Sequence, residues 1–139
     1  RVPIGKGVVR REGRAVSIIT SSHMVHEAMR AAEKLENEGI SAEVVDLRTL
    51  RPLDEEIIIA SVAKTGRAVI ADCGWKTGGI TAEISALLAE KCFGSLKAPV
   101  KRIACPDLPT PSGYTLEAGF YVGEAEIADA AREIAAISK

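Results

Sequence analysis

EVVDLRTLRPLDEE, residues 43–56, sets a buried strand, an arginine-rich turn, a proline and an acidic helix start one after another. Val44, Val45 and Leu47 put β-branched and apolar side chains on both faces of the strand, the pattern of a parallel strand covered by helices above and below. Pro52 turns Arg51 away from helical backbone. Asp54 stands where it can cap the helix that follows, with Glu55 and Glu56 against the positive end of the helix dipole. Leu53 and Ile58 flank that cap at the spacing of a hydrophobic staple, and Lys64 followed by Gly66 predicts a charge-matched last turn and a stop.

Upstream, residues 5–10 read as a short edge strand, and Glu12-Gly13 as a turn into AVSIIT, residues 15–20, a more buried strand. The two are expected to pair antiparallel. Ser21 and Ser22 offer caps for a helix whose apolar positions Val25, Ala28, Met29, Ala32 and Leu35 follow helical spacing, with Gly39 closing it. Downstream come a strand at residues 67–72, a turn at 73–77, and a helix from about Gly78 with Ile80, Ile84, Leu87, Leu88 and Cys92 on one face and Gly94 as its stop. Pro99 introduces a last strand at residues 100–104. A loop from Cys105 to Gly123 then leads to a final helix from Glu124 that buries Ile127, Ala130, Ala131 and Ile134. The order ββαβαβαβα predicts an α/β fold: a three-layer α/β/α sandwich around a five-stranded mixed sheet with one antiparallel strand.

With 139 residues, 47% of them hydrophobic, the chain suits one well-buried domain. A formal net charge of −1, with both signs spread along the chain, gives no electrostatic reason to expect nucleic acid or an anionic membrane as a partner. Cys73, Cys92 and Cys105 form an odd set without a CxxC pair, and no long apolar run is present, so a reducing, cytoplasmic setting is expected. The chain opens at Arg1-Val2-Pro3-Ile4 without an initiator methionine, and is expected to be a fragment of a longer protein.

His23 and His26 stand three apart at a helix start with Glu27 adjacent, but no third ligand and no HExxH pattern accompany them. Capping and subunit contact therefore outweigh metal binding. Thr77-Gly78-Gly79 lies where a strand hands over to a helix, so its amides could hold a phosphate or carboxylate; close backbone approach to a neighbour explains paired glycines as well. Asp72 sits at the carboxyl end of a strand, where ligand crevices of parallel sheets open, and could equally cap the next turn. Cys73 follows it without any nucleophile elbow. Trp75 and Lys76 read as contact surface, as do Tyr114 and Tyr121 in the long loop. No nucleophile and base, paired catalytic carboxylates or cofactor fingerprint emerges, so no catalytic, cofactor-binding or metal residue is assigned.

PIGKG at residues 3–7, MVHEAM at 24–29, EGISAEVVDLRTLRPLDEE at 38–56, KTGRAVI at 64–70, KTGGITAEI at 76–84 and APVKRIACPDLPTP at 98–111 fall in one order. Together they resemble the carboxy-terminal domain of the transketolase superfamily, in the variety found in β subunits of thiamine diphosphate-dependent 2-oxo acid dehydrogenases acting on pyruvate or branched-chain substrates. The resemblance implies a parent enzyme, an oxidoreductase of that kind or a transketolase-like transferase, whose thiamine diphosphate and magnesium are held by other domains. The carboxy-terminal domain, inert alone, would support subunit association. The implied partners are the pyrimidine-binding domain of the same chain, an α subunit, a second β subunit and the subunit-binding domain of an acyltransferase. The chain departs from the usual wording at Asp72-Cys73-Gly74-Trp75, where a Glu-Ala-Pro turn is typical, and at Ser112-Gly113, where a phenylalanine is typical. Two other readings are a free-standing module binding a small anion or nucleotide, with Asp72, Thr77, Gly78 and Gly79 as candidate contacts, and a purely structural dimerisation unit, with His23, His26, Trp75, Lys76, Tyr114 and Tyr121 at the contact.

Overall fold

The computed structural model describes residues 1–138. Five strands, β1 (Val8–Arg11), β2 (Val16–Thr20), β3 (Ala42–Asp46), β4 (Ala68–Trp75) and β5 (Lys101–Cys105), alternate with helices α1 (Met24–Asn37), α2 (Glu55–Thr65) and α3 (Ile80–Lys91), and α4 (Tyr114–Phe120) and α5 (Glu124–Ala135) follow. The sheet order is β1-β3-β2-β4-β5, and only β1 runs antiparallel to its neighbour. The three-layer α/β/α sandwich with a five-stranded mixed sheet is therefore the fold.

Strand alternation builds two cores. Ile18, Val44 and Val69 face α1 and α5, packing against Ala28, Leu35, Ile127 and Ile134. Ile19, Val45 and Ile70 face α2 and α3, packing against Ile58, Val62, Ile84 and Leu88. Each of these Val, Leu and Ile side chains, taken wholly out of water, contributes about 1.5–3 kcal/mol. Val44 and Val45 of the opening segment thus serve opposite layers, as a strand covered on both faces requires.

One expected pairing is wrong. β1 pairs with β3, not with β2, and β3 lies between them. The link from β1 to β2 crosses the start of β3: the amides of Arg14 and Ala15 donate to Ser41 O at 3.1 and 2.8 Å, and the amide of Gly13 donates to the Glu43 carboxylate at 3.3 Å. Glu12-Gly13 is a crossing rather than a hairpin turn.

Several local expectations also shift. Ser22 takes a positive φ of 55°, and α1 starts at Met24 with no side-chain cap, so neither Ser21 nor Ser22 caps it. Val25 and Met29 are half-buried, while Met24 and Ala31 take the buried positions. Asp54 occupies the cap position of α2, yet its carboxylate accepts the amide of Gly7 at 3.0 Å instead of one from its own helix. This ties the amino-terminal segment to the α2 turn. Gly66, left-handed at φ 73°, ends α2 as expected. β4 runs on through Cys73 and Gly74 to Trp75 because Trp75 pairs with Cys105 beyond a bulge. α3 ends at Lys91, and Gly94 lies in a short 3₁₀ turn, Phe93–Ser95. The expected loop before α5 contains α4, whose single buried side chain is Phe120.

Candidate functional site

The carboxyl ends of the strands gather most of the candidate residues into two neighbourhoods. In the first, the bulge of β4 is closed by Asp72, whose carboxylate accepts the amide of Gly74 at 2.9 Å. Lys76 continues the β4–β5 pairing, its amide donating to Cys105 O at 3.1 Å while its carbonyl accepts from Arg102 at 3.2 Å. Thr77 then donates twice to Asp107, from its amide at 3.0 Å and from its hydroxyl at 2.6 Å. The carboxylate that these Thr77 donors hold is thus supplied by the chain itself. Gly78 is left-handed at φ 70°, and a Cβ on Gly79 would lie inside 3.0 Å of Trp75 O, so close approach accounts for the second glycine. Trp75, Thr77, Asp107, Leu108 and Pro109 enclose a groove of about 480 Å³.

Asp107 was not among the expected site residues. Its signal is position, an aspartate directly after a strand and a proline, where a carboxylate can bridge to the neighbouring strand-end turn. The Thr77 hydroxyl, then the Thr77 amide, hold its carboxyl below the ordinary value of 3.8. A depressed folded-state value means that the clasp's contribution is present above the ordinary value and lost as pH falls through the depressed one. Trp75 fluorescence followed from about pH 5 to about pH 2 should report opening of this clasp. Thr77→Val should move that transition upward in pH; an unmoved transition would separate Asp107 from it.

In the second neighbourhood the fold unites residues far apart in sequence. His23, Glu27, Cys73, Tyr121 and Gly123 line a cavity of about 630 Å³ between the start of α1 and the α4–α5 corner. His23 Nε2 lies 3.4 Å from Glu27 Oε1. The Cys73 thiol is pushed up by burial and by the Asp72 charge, the opposite of what an activated nucleophile needs. His26 turns elsewhere, into a hollow with Arg10, Ser22 and Asp46, its ring centroid 6.4 Å from that of His23. Asp46 there accepts from the Arg10 guanidinium at 2.8 and 3.0 Å and from the Arg48 amide at 3.0 Å. Tyr114 belongs to neither neighbourhood and is 91% exposed on α4.

Among the described residues, no three His, Cys, Asp or Glu side chains converge as metal ligands. What the arrangement does present is apolar surface: Trp75, Leu108, Tyr114, Leu116 and Tyr121 are all large and exposed. Trp75 and Leu108 share the groove, and Tyr114 and Leu116 lie on α4.

Comparison with known proteins identifies the family. The model of the transketolase C-terminal domain matches residues 5–127. The chain is 46% identical over 135 residues to the 2-oxoisovalerate dehydrogenase subunit beta of Bacillus subtilis (strain 168), covering 96% of this chain and 41% of that protein. It is 47% identical over 133 residues to the mitochondrial pyruvate dehydrogenase E1 component subunit beta of Dictyostelium discoideum, covering 96% and 37%. A solved structure described as a split gene transketolase, inactive beta4 tetramer, superposes with a TM-score of 0.85 at 29% identity, covering 100% of this chain and 44% of that one. The chain thus spans about two-fifths of the length of the curated relatives it matches. The chain therefore belongs to the transketolase C-terminal domain family and is similar to the β subunits of 2-oxo acid dehydrogenases.

Proposed function

We propose that this chain is the subunit-association domain of a thiamine diphosphate-dependent 2-oxo acid dehydrogenase β subunit, and that it has no catalytic activity alone. The observation that carries the reading is exposed apolar surface in two places, Trp75 with Leu108 at the carboxyl ends of β4 and β5 and Tyr114 with Leu116 on α4. Aromatic residues on an accessible, otherwise polar surface are characteristic of the centre of a protein interface. The pyrimidine-binding domain, an α subunit and a second β subunit are the partners this surface would meet, with an acyltransferase's subunit-binding domain as a further one.

Thiamine diphosphate and magnesium do not fit the donors present here. The Thr77 amide and hydroxyl are committed to Asp107, and among the described residues no carboxylate cluster offers magnesium a site. In this reading the cofactor's decarboxylation chemistry sits in other domains of the parent enzyme. Free Cys73, Cys92 and Cys105 suit a reducing compartment, and no helix among the described residues is long and apolar enough to cross a membrane.

Sedimentation of the chain, alone and with an α subunit, tests the proposal. Trp75→Ala combined with Leu116→Ala should weaken association on the order of 30-fold, as loss of a buried aromatic anchor does. Association unchanged by both substitutions would remove this surface from the interface. Turnover of pyruvate by the isolated chain with thiamine diphosphate and magnesium would overturn the claim of inactivity.

A further inference from the structure

Gly123 opens α5 without a side chain, so the helix cannot cap itself with the side-chain oxygen that usually serves there. The Gly123 amide is taken by Glu126 at 2.8 Å within the helix. The next amide, that of Glu124, is taken at 3.0 Å by the carboxylate of Glu27, which reaches across from α1. Glu27 is itself held in place by Arg30, which also binds Glu124 at 3.1 Å, while Lys34 binds Glu124 at 2.5 Å. A Cβ on Gly123 would lie 2.9 Å from Glu27 Oε2, so the absent side chain is what lets the carboxylate approach.

α4 depends on this joint. It has seven residues, too few for a stable isolated helix, and one buried side chain, Phe120. Only residues 121–123 separate it from α5. The corner that holds Glu124 thus lies directly behind the helix that carries Tyr114 and Leu116.

The geometry points to Glu27 as the positioning residue of the α4–α5 corner: a carboxylate strap from α1 that caps α5 and thereby orients the apolar surface of α4. The inference rests on the association reading for the role of that surface, but the strap itself is tested without it. Amide hydrogen exchange of the whole chain should show the Glu124 amide and the α4 amides of Glu117 and Tyr121 exchanging on the order of tenfold faster in Glu27→Ala, the expected cost of one charge-assisted hydrogen bond. Gly123→Ala should act in the same direction but more weakly, since the added Cβ meets the flexible tip of the Glu27 side chain. Its φ of −160° is extended backbone that alanine adopts, so its effect is to displace the carboxylate, and it keeps the test decisive if Glu27→Ala fails to fold.

Arg132→Ala is the control. It removes the pair with Glu38, the residue just past α1, that joins α5 to the other end of that helix at 2.7 and 2.9 Å. Unchanged exchange in Glu27→Ala and Gly123→Ala, or equal acceleration in Arg132→Ala, overturns the strap. Faster exchange at the corner with unchanged association in sedimentation upholds the strap and overturns the association role of α4.

Discussion

Gly13→Ala is expected to destabilise the chain by about 4 kcal/mol, a large fraction of the 5–15 kcal/mol typical of a domain. The added Cβ would fall inside 3.0 Å of Ala42 C and Glu43 N and 2.7 Å from Ala42 O. All three are backbone atoms of the β3 start, so no rotamer relieves the clash. The crossing link must rise off β3, stretching the Arg14 and Ala15 bonds to Ser41 O and pulling on β1, whose only sheet partner is β3. Overpacking and the weakening of two hydrogen bonds together reach this magnitude. Thermal melting should show a fall of roughly 15 °C at this chain length. Gly94→Ala, at a glycine with open space around it, should leave the melting temperature within about 2 °C. Equal melting of Gly13→Ala and the parent chain would refute the crossing.

The layers of the fold were legible because Val44, Val45, Ile18 and Ile19 carry their burial in their spacing. What local pattern could not convey was which strand lies next to which. Residues 5–20 look like a hairpin because both strands and a glycine turn are present, and nothing within them announces that β3 is inserted between. The end of β4 was misjudged for a similar reason: Cys73-Gly74 reads as a turn, yet Trp75 finds a partner in Cys105, thirty residues away. Asp54 illustrates the limit of capping rules, since its position is right while its carboxylate serves Gly7. At the candidate site, Trp75, Thr77 and Gly79 were identifiable as strand-end residues. Asp107 and the cap that Glu27 lends to Glu124 are contacts across 30 and 97 residues, beyond any window of local sequence.

Lys64→Met should cost about 3 kcal/mol, whereas Glu43→Gln should cost about 1 kcal/mol or less, although both break the same ion pair. The asymmetry follows from where each charge sits. The Glu43 side chain is 1% exposed, while Lys64 is 42% exposed and also binds Glu12 at 2.8 Å. Without Lys64, Glu43 keeps the Gly13 amide and its contact with the Glu12 carboxyl but loses the cation that compensates its buried charge. Without the Glu43 charge, Lys64 keeps Glu12 and water. Combining the two substitutions should therefore recover about 2 kcal/mol of the loss in urea denaturation; strict additivity would dismiss the buried-charge argument. pH supplies an independent check. Glu12 first and Glu43 second raise the Lys64 pKa above its ordinary 10.5, so its contribution is complete below that value and disappears as pH climbs through the raised one. The parent chain should show a steeper alkaline decline than Lys64→Met, which keeps only the part due to Lys91, whose pKa the Glu55 carboxylate also raises. Because Glu43 also receives the Gly13 amide, the effects of Gly13→Ala and Lys64→Met should fall short of their sum. Once the crossing link has lifted, the ion pair that braces the same end of β3 has less left to hold.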